Sequence, residues 1–98
     1  MAAYVMVQIK ITRPDGWPEY REQVGPLAAK FGGKYLVRGG DVTVLEGPPH
    51  DGRRVVVFEF PSMDAIEQFW GSPEYVKLKK LREGSGEAAA WAIPGYTG

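Results

Sequence analysis

The sequence has no cysteine and a single histidine, His50. Without thiols, the chain has no disulfide framework, no thiolate zinc site and no cysteine nucleophile. One histidine in a turn-rich segment makes no zinc site without other strong ligands, and it is not a convincing axial ligand for haem. Phosphate-binding loops and the serine-hydrolase elbow are missing too. We therefore expect the protein to use no metal and no other cofactor.

The chain also lacks net charge and long hydrophobic runs. Its 12 lysine and arginine residues balance 12 aspartate and glutamate residues, whereas a general nucleic-acid binder usually carries a basic excess. No apolar run approaches the roughly 20 residues that cross a bilayer, and no signal-peptide pattern is visible. These absences predict a cytoplasmic protein that has neither a nucleic acid nor a membrane as a partner.

What is present is the pattern of one small α+β domain over 1–98, in which 44% of the residues are hydrophobic. Period-two alternation predicts strands and recurrence at helical spacing predicts helices. The order βαββαβ is typical of the ferredoxin-like fold, an antiparallel sheet with both helices on one face. The predicted elements are a strand Tyr4–Ile11, a helix from Trp17 to Phe31, strand pieces Lys34–Arg38 and Val42–Glu46, a strand Arg53–Phe60, helices Met63–Trp70 and Tyr75–Leu81, and a strand Glu87–Ile93.

Proline, glycine and serine mark the predicted ends and irregularities. Pro26 lies inside the first helical pattern, where a missing backbone donor predicts a kink or a break. The pair Gly39-Gly40 predicts a bulge or a bend between two strand pieces. Ser62 and Ser72 precede helical segments and are expected to be N-caps.

The strand Arg53–Phe60 is apolar on both faces apart from Glu59, and strands of this kind are usually buried on both sides. Two helices cover only one side of the sheet. A second copy packed sheet against sheet, in a two-fold homodimer, would cover the other side. A monomer remains the alternative, because Gln8 and Lys10 give the second face of the first strand a mixed character.

Several separate segments resemble one uncharacterised family. They are Gly32–Gly40, Leu45–Gly47, Arg54–Ser62 and Ser72–Tyr75, with Arg82 further along the last helix. Together they are similar to the family labelled domain of unknown function 1330, over nearly the whole chain. The resemblance implies the dimeric α+β barrel superfamily. It implies no particular reaction, since that superfamily includes cofactor-free monooxygenases, isomerases and haem enzymes.

Arg38, next to Gly39 and Gly40, is the first candidate for a binding residue. Its guanidinium offers a planar fork of donors that suits a carboxylate or a phosphate, and glycines allow a ligand to approach the backbone. The alternative is that Arg38 pairs with a carboxylate of this chain, such as Glu59 or Glu46.

Glu59 is the candidate for an acid or base. A carboxylate among apolar neighbours must be paired or carry a raised pKa, and a raised pKa would suit proton transfer. The alternative is a structural ion pair or an exposed edge position.

Trp70, Ser72 and Tyr75 surround a helix break. A helix N-terminus beside aromatic walls can bind a flat acidic molecule. The alternative is that the two aromatic residues fill the core and Ser72 is only a cap. The basic run Lys77, Lys79, Lys80 and Arg82 indicates a solvated helix face.

We therefore predict a homodimer with a pocket for small acidic or aromatic molecules, as a cofactor-independent enzyme or a binding protein. Arg38 would clamp the anion, Glu59 would be the acid or base, and Trp70 and Tyr75 would be the walls. The alternative is a non-catalytic structural or interaction module. Single-stranded RNA binding on the sheet has less support, because the aromatic Gly-Phe motif is missing.

Overall fold

The chain folds in the βαββαβ order that the sequence predicts, with the second helical segment divided in two. The structure is a computed structural model, which describes residues 2–13, 16–40 and 42–96. The elements are β1 (Ala3–Ile11), α1 (Trp17–Ala29), β2 (Lys34–Arg38), β3 (Arg54–Phe60), α2 (Met63–Trp70), α3 (Pro73–Lys79), a 3₁₀ turn (Lys80–Arg82) and β4 (Gly86–Pro94).

The four strands form one antiparallel sheet in the order β2-β3-β1-β4. Alternation along β1 gives the sheet two distinct faces. Val5 pairs with Phe58 and Val7 with Val56, and these side chains face the helices. The opposite side, which we call the open face, carries Tyr4, Met6, Gln8 and Lys10 of β1, Val55, Val57 and Glu59 of β3, and Trp91 and Ile93 of β4.

The core lies between the helices and the helix-facing side of the sheet. Aromatic residues dominate it: Trp17, Phe60, Phe69 and Tyr75 are each at most 2% exposed. Burying a side chain of this size contributes roughly 1.5–3 kcal/mol. The molecule measures 36 × 33 × 16 Å, and its short dimension reflects one helical layer on one sheet. In the described part of the chain, no helix is long and apolar enough to cross a membrane.

Both predicted serine caps are confirmed. The Ser62 side chain accepts a hydrogen bond from the Ala65 amide at 3.1 Å, and Ser72 accepts one from the Tyr75 amide, also at 3.1 Å. Pro26, by contrast, does not break α1. Both Pro26 and Glu22, whose carbonyl loses its donor, are exposed, so water can hydrate that carbonyl.

The strand predicted at Val42–Glu46 does not form. At Gly39 the chain leaves the sheet with a φ of 78°, after its amide donates to the Val55 carbonyl at 2.9 Å. Continuing the pairing of Arg38 with Val56 would place Leu45 and Glu46 opposite Pro49 and Pro48. Neither proline has an N–H group to donate, so a regular ladder could not extend over Leu45 and Glu46.

Candidate functional site

A cavity of about 510 Å³ opens between α1 and the helix-facing side of the sheet. Its size falls in the range of small-molecule sites, which are concave and mostly apolar. Strands β1, β2 and β3 and helix α1 all contribute lining residues. The apolar lining includes Val7, Ile9, Val24, Val56 and Phe58.

Aromatic side chains form one part of the cavity lining. Tyr35 lies on β2 and stacks on Phe58, with ring centroids 4.3 Å apart and an interplanar angle of 29°. Trp17 and Tyr20 come from the first turn of α1 and are nearly buried. Their rings meet edge to face at 5.7 Å. A flat apolar ligand would therefore meet rigid aromatic surfaces on the side of α1 and of β2.

The charged lining of the cavity is mainly basic. Arg21, Arg38 and Arg54 line it together with one acidic residue, Glu22. All four are exposed, so the charges lie at the rim while the buried lining is apolar. The Arg38 guanidinium lies 5.1 Å from the centre of the Tyr35 ring. Such a rim favours an anionic group at the entrance.

A bulge in β2 determines where Arg38 points. The pairing with β3 shifts between Tyr35 and Val37, so that Val37 lies opposite Val57 and Arg38 opposite Val56. Strict alternation from Lys34 would have put Arg38 on the open face. The extra residue moves it to the face of the cavity. Gly39 follows at the same rim, whereas Gly40 does not line the cavity.

Burial raises the pKa of the two cavity tyrosines further above neutral pH. It raises the pKa of Tyr35, and the nearby charges of Arg38 and Arg21 offset this only in part. Burial also raises the pKa of Tyr20, well beyond the effect of Arg82 in the opposite direction. Both side chains are therefore neutral phenols at neutral pH.

Tyr20 belongs to a buried polar network behind the cavity. Its hydroxyl lies 2.8 Å from the hydroxyl of Tyr75. The Nη2 of Arg82 lies 3.5 Å from the Tyr75 hydroxyl, and its guanidinium stands 5.2 Å from the centre of the Tyr20 ring. Arg82, assigned from sequence to a solvated helix face, is thus half-buried and bound to the core.

Glu59 lies on the open face, away from the cavity. Its carboxylate is 3.3 Å from the Lys34 amine and accepts a hydrogen bond from the Tyr4 hydroxyl at 3.2 Å. The structure therefore does not bring Glu59 and Arg38 together, because they project from opposite sides of the sheet. In the described part of the chain, the ion pairs formed do not include Arg38.

Trp70, Ser72 and Tyr75 also lie outside the cavity lining. Ser72 is buried and donates to the Phe69 carbonyl at 2.8 Å while it caps α3. Tyr75 is 1% exposed and packs between Phe69 and Trp70, with centroid distances of 4.6 and 4.8 Å. Their geometry matches the alternative of core packing and capping.

No binding role was predicted from the sequence for Arg54, Arg21, Tyr20 or Tyr35. Alternation on β3 was a usable signal, because it places Arg54 on the face of Val56 and Phe58. No pattern in the neighbouring sequence predicts that Arg21, which lies beside the apolar residues of α1, lines the cavity. Among the described residues, no three histidine, aspartate or glutamate side chains cluster as a metal site would require.

This geometry defines a ferredoxin-like α+β protein with a mainly apolar cavity of small-molecule size under α1. The family model described as Domain of unknown function (DUF1330) matches residues 2–96. The chain therefore belongs to this family. No curated protein matches its sequence significantly.

Solved structures share the fold at low sequence identity. RPA0582, a protein of unknown function from Rhodopseudomonas palustris, has a TM-score of 0.79 and 17% identity, covering 99% of this chain and 84% of its own. SnoaB from Streptomyces nogalater, a cofactor-independent oxygenase, has a TM-score of 0.65 and 10% identity over 99% and 95%. A proposed antibiotic biosynthesis monooxygenase from Caulobacter crescentus has a TM-score of 0.60 and 18% identity over 98% and 91%. At these identities the likeness shows the fold alone.

Proposed function

We propose that the protein binds a flat aromatic molecule carrying a carboxylate or a similar anion in the cavity under α1. The observation that carries this proposal is the combination of an apolar cavity of about 510 Å³ with a rim of three arginines against one glutamate. The apolar lining would take the ring system, and Arg38 would take the anion.

Two physical contributions support this assignment. Ring burial removes apolar surface from water, which is worth roughly 25 cal/mol for each Å². The guanidinium of Arg38 forms charge-assisted hydrogen bonds to an anion, and no described carboxylate competes for it. Because the rim is exposed, solvent weakens each charge pair, so the anion would add selectivity more than affinity.

We also propose that the protein is a homodimer through the open face. Trp91 and Ile93 on this face are 46% and 45% exposed, and they lie opposite Met6 and Tyr4 on the neighbouring strand. Val57 continues the apolar surface on the other side of β1. A sheet packed against its copy would remove this surface from water, and the ion pair of Glu59 would lie within the interface.

A cofactor-independent reaction in the cavity is the enzymatic form of the proposal. The fold shared with SnoaB, a cofactor-independent oxygenase, supports it only by analogy. In the described lining, the side chains whose chemistry allows proton exchange with a ligand are the phenols of Tyr20 and Tyr35 and the exposed carboxyl group of Glu22. Binding is therefore the function that the geometry supports best, and a non-catalytic module with no ligand is its competitor.

Calorimetry with 2-naphthoate and its neutral analogue 2-naphthamide tests the proposal. We expect the wild type to bind 2-naphthoate more tightly and Arg38→Ala to lose that preference. Arg53→Ala is the matched control, because Arg53 pairs with Asp51 and Glu87 outside the cavity. If neither compound binds, or if Arg38→Ala keeps the preference, the proposed site is wrong.

A further inference from the structure

Arg54 lies beside Arg38 on the cavity side of the sheet. Arg38 pairs with Val56, and Arg54 precedes Val56 by two positions on the neighbouring strand. Diagonal neighbours of this kind on one face of an antiparallel pair are about 7–8 Å apart. The stem of Arg54 also runs along Gly39, because a Cβ atom built at Gly39 would lie 3.8 Å from the Cβ and 3.9 Å from the Cδ of Arg54. Two arginine side chains therefore leave the sheet next to each other at the rim of the cavity.

The arginines of the cavity rim share one property, which is that none forms an ion pair with a residue that the structure describes: Arg21, Arg38 and Arg54. Glu22, the acidic residue of the same lining, also takes part in none of these pairs. Arg53 provides the contrast, since it pairs with Asp51 at 2.8 Å and with Glu87 at 3.5 Å outside the cavity. The acidic side chains near the start of β3 are thus bound by Arg53, and the positive charges of the rim stay uncompensated.

The arrangement of Arg38 and Arg54 favours an anion between them. Like charges on neighbouring strands repel each other, and the water around these exposed side chains screens the repulsion without removing it. A ligand group with one negative charge compensates one guanidinium, whereas a group with two negative charges compensates both. Guanidinium groups also match the oxygens of carboxylate and phosphate with paired hydrogen bonds.

Arg21 adds a third cation from the helix side of the cavity. Burial raises the pKa of Tyr35, and the charges of Arg38 and Arg21 both oppose this rise. The two cations therefore lie near the same phenol, although one comes from β2 and the other from α1. An anion held at the rim by Arg38 and Arg54 would also feel the positive charge of Arg21.

We propose that Arg54 is a second anion-binding residue of the cavity and that the anionic end of the ligand carries two negative charges. A phosphate monoester and a pair of adjacent carboxylates both provide this chemistry. The inference rests on the proposed function and narrows its ligand class from an aromatic anion to an aromatic dianion. Arg38 alone would suffice for a single carboxylate, and Arg54 adds selectivity for the second charge.

Two matched pairs of probes test the number of charges. 2-Naphthyl phosphate and 2-naphthyl sulfate share the ring and the tetrahedral shape, but at about pH 8 the phosphate carries about two negative charges and the sulfate only one. Naphthalene-2,3-dicarboxylate and 2-naphthoate form the second pair. By calorimetry we expect the wild type to bind a dianion about three- to tenfold more tightly than its singly charged partner, as one further charge-assisted hydrogen bond at an exposed rim allows.

A variant of Arg54 assigns the preference to this residue. Arg54→Gln keeps most of the stem and removes the charge, so it should bind the two members of each pair equally. It should still prefer 2-naphthoate over 2-naphthamide, because that preference depends on Arg38. Lys77→Gln is the matched control, since it removes one positive charge from an exposed position on α3 outside the cavity. Added NaCl should reduce the preference of the wild type for the dianion, because salt screens exposed charges.

The outcomes separate the two proposals. If the wild type prefers neither dianion, or if the preference survives in Arg54→Gln or in high salt, the second anion site is wrong and the single-anion site remains. If none of the four probes binds, the proposed function fails and this inference fails with it. A preference within only one pair, lost in Arg54→Gln, supports the proposal and identifies the ligand as a phosphate monoester or as a dicarboxylate.

Discussion

Arg38 holds its guanidinium 5.1 Å from the centre of the Tyr35 ring, on the face of the sheet that contains the cavity. The two residues are three positions apart on β2, where regular alternation would place them on opposite faces. The register shift between Tyr35 and Val37 removes that alternation and brings them together. One inserted residue thus places a cation and an aromatic ring side by side at the rim.

Replacing Arg38 by alanine should remove the preference for an anionic ligand and leave the free energy of unfolding nearly unchanged. Arg38 is exposed, and its stacking on Tyr35 is worth about 0.5–1 kcal/mol at such a position. We expect the free energy of unfolding in urea to fall by no more than about 1 kcal/mol. A larger loss of stability, or dissociation of the proposed dimer, would mean that Arg38 supports the fold and would remove its assignment as an anion clamp.

A charge on the open face should dissociate the proposed dimer. Trp91→Glu would place a carboxylate in the proposed interface, where burial without a partner costs several kcal/mol. Sedimentation at micromolar concentration should show a dimer for the wild type and a monomer for the variant. Val76→Glu is the control, because Val76 on α3 is 47% exposed and lies away from the open face. A monomeric wild type would contradict the proposed interface.

Ser72→Ala should lower the stability of the protein without changing its affinity for the ligand. The variant loses the cap of α3 and the bond to the Phe69 carbonyl, and loss of a cap alone costs about 0.5–2 kcal/mol. Thermal unfolding should show the loss of stability. In calorimetry, the variant should bind 2-naphthoate with the same affinity as the wild type, since Ser72 does not line the cavity. A reduced affinity at unchanged stability would restore Ser72 as a binding residue.

Alkaline pH should destabilise the wild type through Tyr20. Burial raises the pKa of Tyr20 above its usual value of 10.0, so above pH 10 the unfolded chain releases a proton that the native state keeps. The contribution of protonated Tyr20 to the free energy of unfolding is fully present below pH 10. It decreases as the pH rises above 10, by up to about 1.4 kcal/mol per pH unit. Tyr20→Phe should lose less stability between pH 9 and pH 11 in denaturant titrations. Identical slopes for the two proteins would rule out this linkage.

Local sequence patterns predicted most of the fold. Alternation in Tyr4–Ile11 identified β1 and its two faces, and the positions of Ser62 and Ser72 identified two helix starts. These features depend on near neighbours along the chain, because hydrogen bonds from a cap span three residues and strand alternation has a period of two. The apolar residues of β3 were also visible, including the open face that we propose as an interface.

The candidate site was predicted only in part. Arg38 and Gly39 do lie at the cavity rim, but Glu59 faces the other side of the sheet, and Trp70, Ser72 and Tyr75 belong to the core. The prediction could not place Glu59 relative to Arg38, because their faces depend on a bulge that no residue of β2 marks in the sequence. Alternation on β3 was sufficient to place Arg54 on the cavity side of the sheet, but Arg54 was not predicted to be a binding residue.

The sequence by itself determined the order of the strands and helices that form, the serine caps of α2 and α3, and the apolar residues available for a core. Only the tertiary structure decided the face on which Arg38 projects, the pairing of Glu59 with Lys34, and the contact of Tyr20 with Tyr75. The physical reason is distance along the chain. Tyr20 and Tyr75 are 55 residues apart, and strand register is set by pairing partners elsewhere in the sequence. Periodicity therefore carries information about each element, while the site arises where several elements meet.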